Sequence, residues 1–547
     1  MTRLYIASIG GLLFGYDTGI ISGSMLLMKD HFKLSTIYQE AIVSATIGAA
    51  ALFALLAGFV SDYLGRKIVI MIASLVFTSG AVLMAVAEVK EELLVGRLIV
   101  GAGIGFASMS VPMYIAETSP ADIRGALVSL NQLFITLGIL LSSIVAGAFS
   151  NDIENGWRYM LGLAGIPSII QLVGFFFLPE SPRWLVNKGK IEQARTVLTK
   201  LRRLSKVDLD LTDMEDSVRS SKRFEQSNAV LTLGKIMKEP PVRKALILGC
   251  LLMLFQQLCG INTVIYYSAS ILRMSGFPSR LAIWLVCIPN AANFLCTFIG
   301  IYLIDRTGRR VLILGSFIGV IIALLVLGAG FQLAVVNTPP VVYNETNGKD
   351  TTCETKYLTC DSCVTDHDCG FCFVKDSPTT SGSCIPASKE HPERYADPDF
   401  WNKTEYPNST FRCDERNYDD GMKVYIWDDN FCPTEYSWMA VLGLALFVIG
   451  FSPGLGPIPW AVNSEIYPMW ARGTGMSVAT AVNWLANLLV SMTFLSLLET
   501  ITTYGTFYLF FRISLVGLIC MWIMLPETKN KKLEDIQELF TSVKIIK

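Results

Sequence analysis

The sequence predicts an all-α polytopic membrane protein, with twelve transmembrane helices in two six-helix halves. A helical segment joins the halves, and a disulfide-rich insertion interrupts the second. Three observations predict this: twelve apolar runs, short motifs that recur in both halves, and a cysteine cluster confined to one acidic connection.

The apolar runs come first. Of 547 residues, 52% are hydrophobic and 17% charged, and the mean hydropathy of +0.47 exceeds what a soluble chain of this size needs. Runs of about 20 residues, enough to cross a bilayer, fall near 3–28, 40–60, 67–87, 93–116, 125–150, 158–178, 243–272, 280–304, 311–334, 436–462, 473–498 and 504–525. The first run begins almost at Met1 without a small-residue cleavage site, so it is expected to serve as its own insertion signal.

Charge orients the spans. Residues 182–240 hold 13 basic and 8 acidic residues, whereas 337–435 hold 9 basic and 19 acidic. Excess Lys and Arg marks the cytoplasmic side, which places both termini and 182–240 inside and 337–435 outside. Cysteines give the same orientation. Eight of the thirteen lie in the acidic segment: Cys353, Cys360, Cys363, Cys369, Cys372, Cys384, Cys413 and Cys432. Three N-glycosylation sequons, at Asn344, Asn402 and Asn408, lie beside them. An even cysteine set with sequons implies an oxidising compartment and, most simply, four bridges, whose pairing spacing leaves open. A zinc site is the alternative, but Cys360-x-x-Cys363 and Cys369-x-x-Cys372 stand too close together for a zinc ribbon.

The repeat divides the chain. Asp62-x-x-Gly65-Arg66-Lys67 after span two recurs as Asp305-x-x-Gly308-Arg309-Arg310 after span eight. Glu117 precedes Arg124 by seven residues, as Glu465 precedes Arg472, and Pro179-Glu180 recurs as Pro526-Glu527. The separation between copies lengthens after span nine by about the length of the acidic segment. The expected domains are therefore an N-terminal half (1–181), a cytoplasmic helical segment (182–241), spans seven to nine (242–336), the insertion (337–435), spans ten to twelve (436–525) and a cytoplasmic tail (526–547). Parallel halves suggest a rocking secondary transporter with its site between them. The charged motifs, with Arg183, are expected to form a cytoplasmic gate whose carboxylate–guanidinium pairs hold the halves together in the outward-facing state.

These residues resemble the sugar-porter branch of the major facilitator superfamily. The resemblance runs nearly the whole length, through Asp62–Lys67, "PESPRW" at 179–184, "QQLCGIN" at 256–262, "DRTGRR" at 305–310, "GPIPW" at 456–460 and "PETK" at 526–529. "CDSCVTDHDCGFC", from Cys360 to Cys372, looks like the cysteine core of a PSI (plexin–semaphorin–integrin) domain. A sugar porter with that module between spans nine and ten is similar to the proton/myo-inositol cotransporters. The resemblance implies proton-coupled symport of a cyclitol by alternating access, with no enzyme activity and no cofactor beyond the proton. It also implies a plasma-membrane location with an intracellular pool, and it leaves room for an extracellular protein partner of the insertion. A hexose carrier, facilitative or proton-coupled, and a sugar sensor or receptor are the alternatives.

A neutral polyol suits amide side chains, which donate and accept at once, and an aromatic face against its C–H surface. The family's substrate site maps onto Gln132, Gln256, Gln257, Asn262, Asn293, Trp460, Asn483 and Asn487. Asn483 and Asn487 share a helical face. Gly260, Pro457 and Pro459 let helices break beside the site. Gly101, Gly103 and Gly105 read as close-packing positions in span four. Three histidines, none inside a predicted span, point away from a metal or catalytic centre, and the basic 182–240 segment reads as a helical bundle rather than a nucleic-acid surface.

An acid inside a span is expensive and marks a functional position with a partner. Asp17 lies about 14 residues, or ~21 Å, into span one, which leaves it ~9 Å below the outer surface of a core of about 30 Å. Arg97 in span four lies about four residues, or ~6 Å, below the same surface. The two are expected to pair and, by resemblance to proton-coupled porters, to form the proton switch. Ionised Asp17 paired to Arg97 is expected to hold the outward form.

Overall fold

The computed structural model describes residues 2–119, 124–201, 229–342 and 432–529, together with short pieces between 207 and 215 and between 353 and 428. Asn344, Asn402 and Asn408 lie outside the described residues.

Five unbroken helices form the first spans: Thr2–Phe32, Thr36–Leu64, Arg66–Ala85, Lys90–Thr118 and Arg124–Phe149. Span six is a pair, Gly156–Gly162 and Gly165–Phe176. Span seven breaks into Pro240–Leu258 and Ile261–Met274 at Gly260, whose φ of +93° suits a residue without Cβ. Span eight is Ser279–Leu285 with Cys287–Thr307, and span nine is Arg309–Val336. Spans eleven and twelve are Met469–Ile501 and Thr503–Met524.

Among the described residues, eleven helical segments are long and apolar enough to cross a membrane, one fewer than the sequence predicts. The missing one is span ten. It stops as Ser437–Phe451 and resumes as Ile458–Glu465. Between them runs Ser452-Pro453-Gly454-Leu455-Gly456-Pro457, where each proline removes an amide donor and clashes with the preceding turn.

The helices run alternately up and down, so the insertion and the ends Phe32, Met274 and Ile501 share one face. Within the first half, span two packs on span four and span three on span four; in the second, eight and nine pack on ten in the same way. Between the halves, span two meets eleven as span eight meets five. The repeated motifs therefore belong to two copies of one packing scheme.

A small-residue stripe seats span one. Gly11, Gly15, Gly19 and Gly23 recur every fourth residue on one face, the arrangement that lets helix backbones touch. A Cβ on Gly15 would lie 1.9 Å from the Ile135 carbonyl oxygen of span five, and one on Gly19 would lie 2.2 Å from Ser142 Oγ. Gly101 and Gly105 serve span four similarly against span two, and Gly103 against span three. The close-packing reading of that trio holds.

The insertion is a small antiparallel sheet of order β2-β1-β3, from β1 (Cys369–Val374), β2 (Gly382–Pro386) and β3 (Tyr425–Asp428). Phe371, Phe373 and the cystines fill its core. All eight cysteines are bridged, Cys353–Cys369, Cys360–Cys432, Cys363–Cys384 and Cys372–Cys413. Cys360 and Cys363 join different partners, so the paired spacing reflects two cystines rather than a zinc knuckle. Cys360–Cys432 closes the base of the module, where the Cys360 amide donates to Pro339 just past span nine.

So small a core relies on its bridges. Replacing Cys360 and Cys432 together by Ser should reduce the yield of folded, monodisperse protein several-fold, measured by size-exclusion chromatography in detergent. The melting temperature of the fraction that folds should change little, because the module sits outside both bundles. A normal yield with a much lower melting temperature would make the insertion part of what holds the bundles.

Candidate functional site

The glycine stripe faces span five, so Asp17, two residues from both Gly15 and Gly19, points the opposite way. There it meets Arg97 at 2.7 Å from Asp17 Oδ1 to Arg97 Nη1, with both side chains buried. Arg97 Nε donates to the Ile42 carbonyl of span two at 3.3 Å, and Thr46 Oγ1 donates to the Arg97 carbonyl at 3.1 Å. The pair thus joins spans one, two and four. Leaving one member of such a pair alone costs about 3–5 kcal/mol.

The amides gather in the second half around the span-seven break. Gln257 Nε2 donates to Asn483 Oδ1 at 3.1 Å, and Asn483 Nδ2 to Gln256 Oε1 at 2.8 Å. Asn262 donates to Gln257. Gln256 Nε2 reaches the Leu455 and Gly456 carbonyls at 2.7 and 2.9 Å, in the span-ten break. Asn293 accepts from Ser452 Oγ at 2.7 Å at the same break, and Asn487 accepts from Ser491 Oγ at 3.1 Å. The span-ten break frees the Leu455 and Gly456 carbonyls, which the Gln256 amide satisfies. Two residues stand apart from this cluster. Gln132 is half-buried on span five of the other half, and Trp460 is 41% exposed while Pro459 and Asn463 beside it are buried.

The charged motifs form two copies of one joint on the face opposite the insertion. Arg66 binds Glu117 through Nε–Oε2 at 3.0 Å and Nη2–Oε1 at 3.2 Å, and its Nη1 meets Asp62 at 3.0 Å. Arg309 Nη2 meets Glu465 at 3.2 Å. Ser181 Oγ donates to Glu117, as Thr528 Oγ1 donates to Glu465. Glu180 accepts from the Arg66 and Lys67 amides that open span three, and Glu527 from the Arg309 and Arg310 amides that open span nine. Gly65 and Gly308 hold φ of +102° and +97°, and a Cβ on either would strike the capping carboxylate.

Both joints lie inside a half. In this arrangement Arg66 and Arg309 bind Glu117 and Glu465, which end the helices packed beside them in the same bundle. Arg472 Nη2 reaches the Tyr467 carbonyl at 3.4 Å, and Arg183 is exposed on the short helix Pro182–Asn187. The side chains of Arg124 and Asp305 lie outside the described residues.

The family described as "Sugar (and other) transporter" matches residues 4–344 and 422–540. The chain belongs to that family. This transporter is 46% identical to the "Proton myo-inositol cotransporter" of Homo sapiens over 539 residues, covering 98% of this chain and 81% of the human protein. It is 40% identical to the "Probable inositol transporter 2" of Arabidopsis thaliana over 539 residues, covering 98% of this chain and 90% of that one. Among solved structures, the inward-open xylose transporter of E. coli superposes with a TM-score of 0.69 at 24% identity, covering 98% and 99% of the two chains. The transporter is thus a multi-pass membrane protein with the major facilitator fold.

Sequence reasoning overlooked Glu40, a buried carboxylate between the halves, although an acid inside span two was a visible signal. It also overlooked the fourfold glycine spacing beside Asp17.

The two capping carboxylates titrate in opposite directions. Burial holds Glu180 above the ordinary carboxylate range, with the Ser181, Lys67 and Arg66 amides opposing it. Glu527 is also desolvated, but the Lys529, Arg310, Arg309 and Thr528 amides hold it below that range. A lowered folded pKa gives stability that is present at neutral pH and lost as pH falls through it; a raised one gives stability that is lost as pH rises. In detergent melts from pH 7 to 4, the deficit of Glu527→Gln should shrink on acidification and that of Glu180→Gln should not. Parallel trends would refute the assignment.

Proposed function

We propose that this transporter carries myo-inositol, or a closely related cyclitol, inward together with a proton. The buried Asp17–Arg97 pair carries the reading, since a facilitative carrier of a neutral polyol has no use for an ionisable acid at that depth. The names of the human and Arabidopsis relatives support the cargo.

The proposed site lies between the halves. Gln256, Gln257, Asn262, Asn293, Asn483 and Asn487 read the hydroxyls, Gln132 closes from the first half, and Trp460 offers its ring to the C–H face. The cystine-rich insertion and the charge bias support an extracellular insertion face, cytoplasmic termini and the plasma membrane.

The halves are drawn together at the insertion face. Arg273 meets Asp30 at 3.5 Å, Glu40 meets Ser496, and Thr36 donates to Glu499. Asp17 and Arg97 are paired in this arrangement too. The state fits a carrier that has delivered its proton and cargo inward and restored the pair. On opening outward, a proton neutralises Asp17 and Arg97 is released, which lets the loaded halves rock. The joints at Arg66 and Arg309 keep each half rigid meanwhile. One proton moving through about 100 mV supplies roughly 2.3 kcal/mol, or about 50-fold accumulation.

Asp17→Asn keeps the shape and cannot ionise. It should abolish concentrative uptake and proton current while leaving myo-inositol binding and exchange. Arg97→Ala strands a buried acid and should lower both yield and coupling. Tracer uptake of myo-inositol, with glucose as competitor and current recorded under an inward proton gradient, checks both. Full accumulation by Asp17→Asn would reduce the pair to a structural element.

Trp460→Ala should weaken myo-inositol binding by about 1–3 kcal/mol, the scale of one buried apolar contact. Equilibrium binding to purified protein measures it, and an unchanged affinity would remove Trp460 from the site.

A further inference from the structure

Span two and span eleven cross antiparallel between the halves in a regular register. Thr36 meets Glu499, Glu40 meets Ser496, and Gly48 faces Leu488. Glu40 is the buried member of this seam. Its Oε1 accepts from the Ser496 amide at 2.8 Å and its Oε2 from the Ser496 hydroxyl at 2.6 Å. One carboxylate therefore grips both donors of one residue in the opposite half.

Each side of that grip leads to a functional group. On span two, Ile42 lies two residues from Glu40, and its carbonyl accepts from Arg97 Nε, whose Nη1 holds Asp17. On span eleven, Ser496 follows Ser491, which donates to Asn487, and the Ser491 carbonyl accepts from Tyr267 of span seven at 3.0 Å. We infer that Glu40 is a positioning residue, a latch that ties the Asp17–Arg97 pair in one half to the Asn487 end of the substrate cluster in the other. The inference rests on the proton-coupled reading above. When the halves part at the insertion face, the grip on Ser496 must break, so opening is linked to the segment of span two that Arg97 holds. The coupling is then an equilibrium between gripped and released seams that both the proton pair and the cargo can bias.

The test uses the full-length transporter with its five unpaired cysteines replaced. Spin labels go at Glu154→Cys and Arg280→Cys, exposed positions on the insertion face of opposite halves. Pulsed spin-resonance distances, read without substrate at fixed pH, give the ratio of closed to open insertion faces. Glu40→Ala should shift that ratio towards open by about tenfold, within the range usual for coupled sites. Ser496→Ala, which removes only the hydroxyl, should shift it less, and the double variant should add little to Glu40→Ala. Glu40→Gln keeps an acceptor for the amide and should restore part of the closed population.

In proteoliposomes, Glu40→Ala should retain myo-inositol exchange but lose most proton-driven accumulation. An unchanged distance ratio would overturn the latch. A shifted ratio with undiminished accumulation would also overturn the proposal, because Glu40 would then close the face without coupling anything. The distances need no cargo. If unsubstituted protein accumulates no myo-inositol, the functional reading fails while the distances still report on the seam.

Discussion

The Asp17–Arg97 pair constrains everything around it. Two charges taken out of water in an apolar bundle are tolerable only in close contact with their remaining hydrogen bonds placed. That requirement fixes the rotation of span one, which its glycines set against span five, and the rotation of span four, which Gly101 and Gly105 set against span two. Arg97 completes its coordination on the Ile42 carbonyl, so span two is drawn into the same arrangement. Three helices are oriented by one contact of 2.7 Å.

The paired joints on the opposite face act on a larger scale. Glu180 and Glu527 each cap the helix that follows a glycine with positive φ, and Arg66 and Arg309 each bind the acid that ends the neighbouring span. Hydrogen bonds to charged groups are stronger than neutral ones, and these tie three helices of each half at their ends. Movement between halves then becomes cheaper than movement within one. The amide cluster sits where spans seven and ten are broken, and its Gln256 already holds the Leu455 and Gly456 carbonyls of the span-ten break.

The spans, the cystine module and the partner of Asp17 were legible because each rests on a local pattern: apolar length, cysteine count or depth along a helix. Contacts set by which helices become neighbours were not. Glu117 and Arg66 both fall in the half 1–181, but nothing in their spacing says that the ends of spans three and four lie close enough to pair. Glu40 escaped for the same reason, since its partner lies 456 residues away in sequence. The break in span ten was legible at Pro457 and Pro459, but its start six residues earlier was not, because the apolar composition continues through Ser452–Leu455.

The glycine stripe of span one also limits how this chain can drift. Every amino-acid replacement of a glycine introduces at least a Cβ, and at Gly15 that atom would occupy the space of a backbone oxygen that no rotamer can vacate. Gly58, by contrast, has nothing within 4 Å of a notional Cβ. Inherited variants at Gly15 and Gly58, indistinguishable on any scale of residue similarity, therefore belong to opposite ends of the scale of tolerance.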